Sequence, residues 1–123
     1  MRTPGALRRS AEFRRVLRGG RKAGTNGVVV YALPTQASPP QQENHPRSRV
    51  GLVVRAPNRA VVRNRIKRRI HAAFIACGPA AGYDVVIRAD ERAETMPFTV
   101  LTGALGKALA VCGVPTRQRG ARR

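Results

Sequence analysis

The sequence predicts a single α/β domain of three or four strands and about three helices. Three observations predict it. Runs rich in β-branched residues recur at 27–33, 49–54 and 83–88. Apolar stripes with helical spacing follow the second and the third of these runs. The 123 residues, 42% hydrophobic and 4% aromatic, suffice for one modest aliphatic core.

Taken in order, the first element is a short helix from about Ser10, a good N-cap with Glu12 in the first turn, to Leu17, stopped by Gly19-Gly20. Its apolar face is Phe13, Val16 and Leu17. The strand 27–33 is bounded by Asn26-Gly27 and Pro34, and alternation places Val28 and Val30 on one face, Val29 and Tyr31 on the other. Residues 34–48 hold four prolines, three glutamines and no periodicity, which reads as a flexible loop. The strand 49–54 is expected to pair antiparallel with the first.

The segment 60–76 is the most informative. At about 100° per residue Val62, Ile66, Ile70, Ala73 and Phe74 share one stripe, the core-facing surface of a helix. Asn64, Lys67, Arg68 and His71 point away from it, with Arg63, Arg65 and Arg69 at the boundary. Cys77-Gly78-Pro79 ends this helix and 83–88 follows as a strand. A last helix from about Pro97 carries the stripe Phe98, Leu101, Leu105, Ala108, Leu109 and Cys112, closed by Gly113 and Pro115. The core is thus expected over about 7–112, with a basic, flexible tail at 113–123.

Charge decides the class of partner. Against 24 Lys+Arg stand 6 Asp+Glu, a net +18 that opposes compaction by self-repulsion unless a polyanion is bound. No acidic residue lies between Asn44 and Tyr83, whereas 47–69 holds nine Lys/Arg. A solvated helix face normally mixes signs, so this stretch reads as phosphate-facing, and arginine's planar fork fits phosphate oxygens. No apolar run approaches a membrane span and no secretory h-region follows the basic start, so the expected address is the cytoplasm, without a membrane partner. Cys77 and Cys112 show no ligand spacing and read as reduced, packed thiols.

Catalytic groups are scarce. Asp90, Glu91 and Glu94, with Asp84 before them, are the only carboxylate grouping, and they fall where acids solvate a loop or favour a helix start. His45 and His71 have no sequence neighbour to make them a base or nucleophile pair, and no phosphate-cradling glycine motif is present. The chain reads as a binder, with no catalytic residue. Among its few aromatics, Phe13 and Tyr31 are the candidates to meet unpaired bases, although core packing also accounts for Phe13.

The run 60–70, Ala-Val-Val-Arg-Asn-Arg-Ile-Lys-Arg-Arg-Ile, preceded by Arg49-Val-Gly-Leu-Val-Val54, resembles the signature of bacterial ribonuclease P protein components. The order of elements matches as well, down to Gly82-Tyr83-Asp84 before the last helix, so the similarity covers about residues 7–112. The resemblance implies an α+β sandwich like the second domain of ribosomal protein S5, with a central mixed sheet of about four strands, about three helices and a left-handed β-α-β crossover contrary to the usual hand. It implies an RNA subunit that hydrolyses precursor tRNA with Mg²⁺, held mainly by that RNA and not by the protein alone. The protein would assist by binding the 5′ leader, with no obligate protein partner. Carried over by position, Arg63, Asn64, Arg65, Lys67 and Arg68 form the RNA-facing surface, Phe13 and Tyr31 lie in the leader cleft, and Leu17 stands where an aromatic is frequent. The family's lysine-rich turn is replaced by the shorter Arg55-Ala-Pro-Asn-Arg59, whose Arg55 and Arg59 are expected to restore the charge. The competing readings are a structural ribosomal protein and a nuclease that acts alone.

Overall fold

The computed structural model describes residues 5–25, 27–34 and 48–116. Its elements are β1 (Gly5–Ala6), α1 (Ser10–Gly19), β2 (Arg21–Thr25), β3 (Val28–Pro34), β4 (Arg49–Arg55), α2 (Ala60–Cys77), β5 (Tyr83–Asp90), the single turn α3 (Arg92–Thr95) and α4 (Phe98–Val111). They build one mixed sheet in the order β1-β4-β5-β3-β2. The expected α/β class holds, with five strands, because two short or polar strands add to the three apolar ones.

The expected pairing of the first and second apolar runs is corrected. β3 and β4 are not neighbours: β5 lies between them, antiparallel to β3 and parallel to β4. A parallel pair needs a long crossover, and α2 supplies it between β4 and β5. The central position also explains the composition of β5, whose Val85, Val86 and Ile87 are fully buried in succession because both sheet faces are covered there. β2 escapes a reading by hydropathy. It is a polar edge strand, Arg-Lys-Ala-Gly-Thr, antiparallel to β3 with Thr25 paired to Val28.

The two faces of the sheet are covered unequally. On one, α2 and α4 bury Val62, Ile66, Ile70, Phe74, Leu101, Leu105 and Leu109 against Val28, Val30, Val85 and Ile87. Phe98 is a second correction. It stays 42% exposed, since the α4 stripe meets the sheet only from Leu101 onward. On the other face α1 covers a smaller cluster of Leu7, Val16, Tyr31 and Val86, edged by Phe13, Leu17 and Val29.

The ends of the elements follow from local chemistry. α1 starts at Ser10 with Arg9 in the cap position, and Glu12, not Ser10, satisfies the free amides: its Oε1 accepts the Arg8 and Arg9 N–H groups at 3.2 Å each. α4 ends in a left-handed Gly113 at φ 89°, with Gly113 N–H donating to Ala110 and Val114 N–H to Leu109. Beyond it Val114 is fully buried and Thr116 bridges to Pro79, so the packed fold runs past 112 into the segment expected as tail. The interior of the proline-rich loop, 35–47, and the tail from 117 lie outside the described residues.

Candidate nucleic-acid interface

Two cationic surfaces stand out, one on α2 and one on the sheet face beside α1. On α2 the apolar stripe anchors the helix with Val62, Ile66 and Ile70 buried, so the remaining positions must face outward. Asn64, Lys67 and Arg68 are exposed and make no hydrogen bond or ion pair among the described residues. The rest of the basic set is held. Arg63 Nη1 donates to the Ala56 carbonyl at 2.8 Å, Arg65 Nη1 meets Glu94 Oε2 at 2.6 Å, and Arg59 Nη1 meets Glu91 Oε2 at 3.2 Å. Arg69, which the sequence placed at the stripe boundary, donates to the Met96 carbonyl and ties α2 to the segment before α4.

The carboxylates of α3 and its approach thus lean on two arginines of the predicted RNA-facing surface. Such half-exposed pairs are worth only ~0.2–1 kcal/mol, a small barrier to exchange for a phosphate. Every described carboxylate engages an arginine: Glu12 with Arg49, Asp84 with Arg15 and Arg49, Asp90 with Arg92, besides Glu91 and Glu94.

The second surface is built by register. On the face that carries α1, Lys22, Tyr31, Val86 and Gly51 form one row across β2, β3, β5 and β4, and Gly24, Val29, Arg88 and Val53 form the next. α1 sits over the first row. A Cβ on Gly51 would collide with Phe13 Cζ and Cε2, so glycine in β4 is what lets this ring lie against the strand. Under the N-terminal half of α1, Arg49 donates Nε and Nη2 to Asp84 at 3.0 and 2.9 Å and Nη1 to Glu12 at 2.8 Å. Arg15 donates to the same Asp84 from the helix. The amides of Arg9 and Arg8, then Arg49, hold the Glu12 carboxyl below its ordinary 4.5, while Asp84 beside it raises the Arg49 guanidinium.

The second row is left open. An open groove of about 390 Å³ runs over it, lined by Lys22, Val29, Tyr31, Arg55, Arg88 and Arg92 among others. Arg55, Arg88 and Lys22 are exposed and reach no carboxylate among the described residues. Tyr31 forms part of the wall with only 8% exposure. Lys22 Nζ lies over its ring at 5.8 Å and Arg88 Nη1 approaches its hydroxyl at 3.4 Å. Phe13 is not part of this lining: it belongs to the cluster beneath α1. Sequence reading named Arg55 but missed Lys22 and Arg88, because β2 was not recognised and strand register decides which side chains share a face. Elsewhere Cys77, buried between α2 and α4, has its thiol pushed up to about 11 by desolvation.

Comparison with known proteins agrees with this architecture. The ribonuclease P family model matches residues 1–113. The protein component from Thermobifida fusca is 37% identical over 93% of this chain and 78% of its own, and that from Gluconacetobacter diazotrophicus is 33% identical over 88% and 90%. Among solved structures, the Staphylococcus aureus RNase P protein superposes with a TM-score of 0.68 over 86% of this chain and 93% of its own at 24% identity. The Thermotoga maritima protein, in complex with a fluorophenyl thiourea, gives 0.64 over 80% and 92% at 21% identity. The chain therefore belongs to the ribonuclease P protein family, as a protein component of the tRNA 5′-processing enzyme whose partner is the ribonuclease P RNA.

Proposed function

We propose that the protein lays the exposed face of α2 on the RNA subunit and receives the 5′ leader of precursor tRNA over the open sheet face beside α1. The observation that carries this reading is the pair of unneutralised cationic surfaces, Asn64, Lys67 and Arg68 on α2 and Lys22, Arg55 and Arg88 around the groove. The two surfaces begin at opposite ends of the same turn: Arg55 ends β4 at the groove and Arg59 opens α2. One RNA assembly can follow both. Phe13 supports the groove from beneath α1, and Arg63 and Arg65 border the α2 face through Ala56 and Glu94. Asn58, at φ 62°, gives the shortened turn its left-handed residue, a conformation that Asn tolerates, and keeps Arg55 and Arg59 at its two ends.

In this reading Mg²⁺ belongs mainly to the RNA subunit and bond breaking is the RNA's, since this chain's described carboxylates are engaged by arginines. The compartment is the cytoplasm, and among the described residues no helix is long and apolar enough to cross a membrane. The test is cleavage of precursor tRNA at low Mg²⁺ by the RNA subunit alone and with the protein added. A gain in rate and in affinity for leader-bearing over leaderless tRNA is expected. No gain from the protein overturns the proposal.

A further inference from the structure

Resting on the assignment of the α2 face to the RNA subunit, we infer that Glu91 and Glu94 determine specificity. They occupy Arg59 and Arg65 with the protein's own carboxylates and so reject RNA that is attracted by charge alone.

Six cations lie on α2 or at its start, Arg59, Arg63, Arg65, Lys67, Arg68 and Arg69, and they are held in three ways. Lys67 and Arg68 make no hydrogen bond or ion pair among the described residues. Arg63 and Arg69 donate to the carbonyls of Ala56 and Met96, neutral acceptors that leave the positive charge in place. Arg59 and Arg65 meet carboxylates, Glu91 and Glu94, which cancel their charge locally. Arg65 stands one turn from Arg68 on the helix, so a strand whose phosphate reaches Arg68 finds beside it an arginine already answered.

The two acids are placed by the fold. Glu91 caps the single turn α3 and Glu94 lies within it, its N–H donating to the Glu91 carbonyl at 3.0 Å. Ala93 of the same turn is fully buried. Asp90 braces the turn by accepting the Arg92 amide at 2.9 Å and its guanidinium at 2.7 Å, and Arg69 holds the far end at Met96. α3 therefore keeps its position without either ion pair, and half-exposed pairs add little stability. Beside a face that binds an anion a carboxylate opposes binding, and an opposing group is how a surface turns away partners it would otherwise attract.

The consequence separates two kinds of RNA. Non-specific RNA binds by its phosphates, so its affinity follows the number of cations free to meet them. At an arginine that carries its own carboxylate such a phosphate gains little, because the counterion it releases is offset by one that the freed carboxylate takes up. The ribonuclease P RNA, a folded partner, adds contacts of shape and can meet the freed carboxylates with 2′-hydroxyl and base amino donors, so the exchange costs it less.

The experiment measures the salt dependence of binding to polyuridylate and to the ribonuclease P RNA, for the unchanged protein and for Glu91→Gln with Glu94→Gln, with thermal unfolding as the check that both are folded. On polyuridylate the double variant is expected to steepen the fall of log K with log[salt] by about 1.4, two phosphates at ~0.7 each. The ratio of affinities for the ribonuclease P RNA over polyuridylate is expected to fall by about threefold or more. Arg65→Ala gives a second reading. With Glu94 in place it is expected to leave the polyuridylate slope unchanged, and with Glu94→Gln to flatten it by about 0.7. An unchanged polyuridylate slope in the folded double variant, an unchanged affinity ratio, or a flattening by Arg65→Ala while Glu94 is present overturns the proposal. If Lys67→Ala with Arg68→Ala leaves the slope for the ribonuclease P RNA unchanged, the α2 assignment itself falls, which separates that failure from this one.

Discussion

The two faces of the sheet are held by different physics. Under α2 and α4 the contact is apolar, with Ile66, Ile70, Phe74, Leu101, Leu105 and Leu109 all fully buried. Under α1 only Val16 of the helix is buried, and much of the hold comes from the arginine and carboxylate bracket of Arg15, Arg49, Asp84 and Glu12. The difference teaches where each requirement is met. The packed face supplies the stability that a chain of +18 needs, and the bracketed face is left half open for RNA.

That contrast breaks most visibly in the core. Phe74→Ala should cost about 3–5 kcal/mol, enough to unfold much of a marginal domain, read as the loss of the thermal transition in the absence of RNA. On the α1 face the largest expected effect is smaller. Asp84→Asn should cost ~2–3 kcal/mol, below the 3–5 of a fully buried pair, because Arg15 and Arg49 remain 28% and 31% exposed. Its signature is local. Amide exchange should quicken in α1 while the amides of α2 and α4 keep their protection, and equal loss in all three would erase the distinction between the faces.

Gly51→Ala sharpens the comparison further. The added methyl displaces the Phe13 ring, and an expected cost of about 1–3 kcal/mol should again fall on α1. An unchanged unfolding midpoint would show that Phe13 does not seat the helix. The smallest effect is acidic. The folded pKa of Glu12 is lowered, so its contribution is complete above the unfolded value of 4.5 and is lost as pH falls through the lower folded value. Exchange in α1 should accelerate as pH falls below about 4.5, beyond the change in intrinsic amide rates, and Glu12→Gln should abolish that dependence; α4, with no acidic residue, should show none.

Much of this was legible in the chain. The stripe Val62, Ile66, Ile70, Ala73 and Phe74 fixes the place and orientation of α2 from the sequence, because a long amphipathic helix against a sheet has one way to bury its apolar side. The three apolar strands were equally plain. Their order was not, since hydropathy says nothing of neighbours and the crossover through α2 places β5 between β3 and β4. β2 carries a signal only in the Asn-Gly pair of the sequence at 26–27, a typical hairpin dipeptide, while its own polar residues give no strand-like hydropathy. The α2 arginines showed no carboxylate one turn away in sequence. Their partners Glu91 and Glu94 come from a distant turn brought near by the fold, which sequence spacing cannot reveal.

The α2 surface consequently splits into residues held by the protein's own groups and residues free to meet a polyanion. The measurement that tests this account most directly is the salt dependence of binding to the ribonuclease P RNA. With about six phosphates engaged, log K should fall against log[salt] with a slope of about −4 to −5, and Lys67→Ala with Arg68→Ala should flatten it by about 1.4–1.8 while the protein stays folded. An unchanged slope in that double variant would contradict the assignment of α2 as the RNA-facing surface.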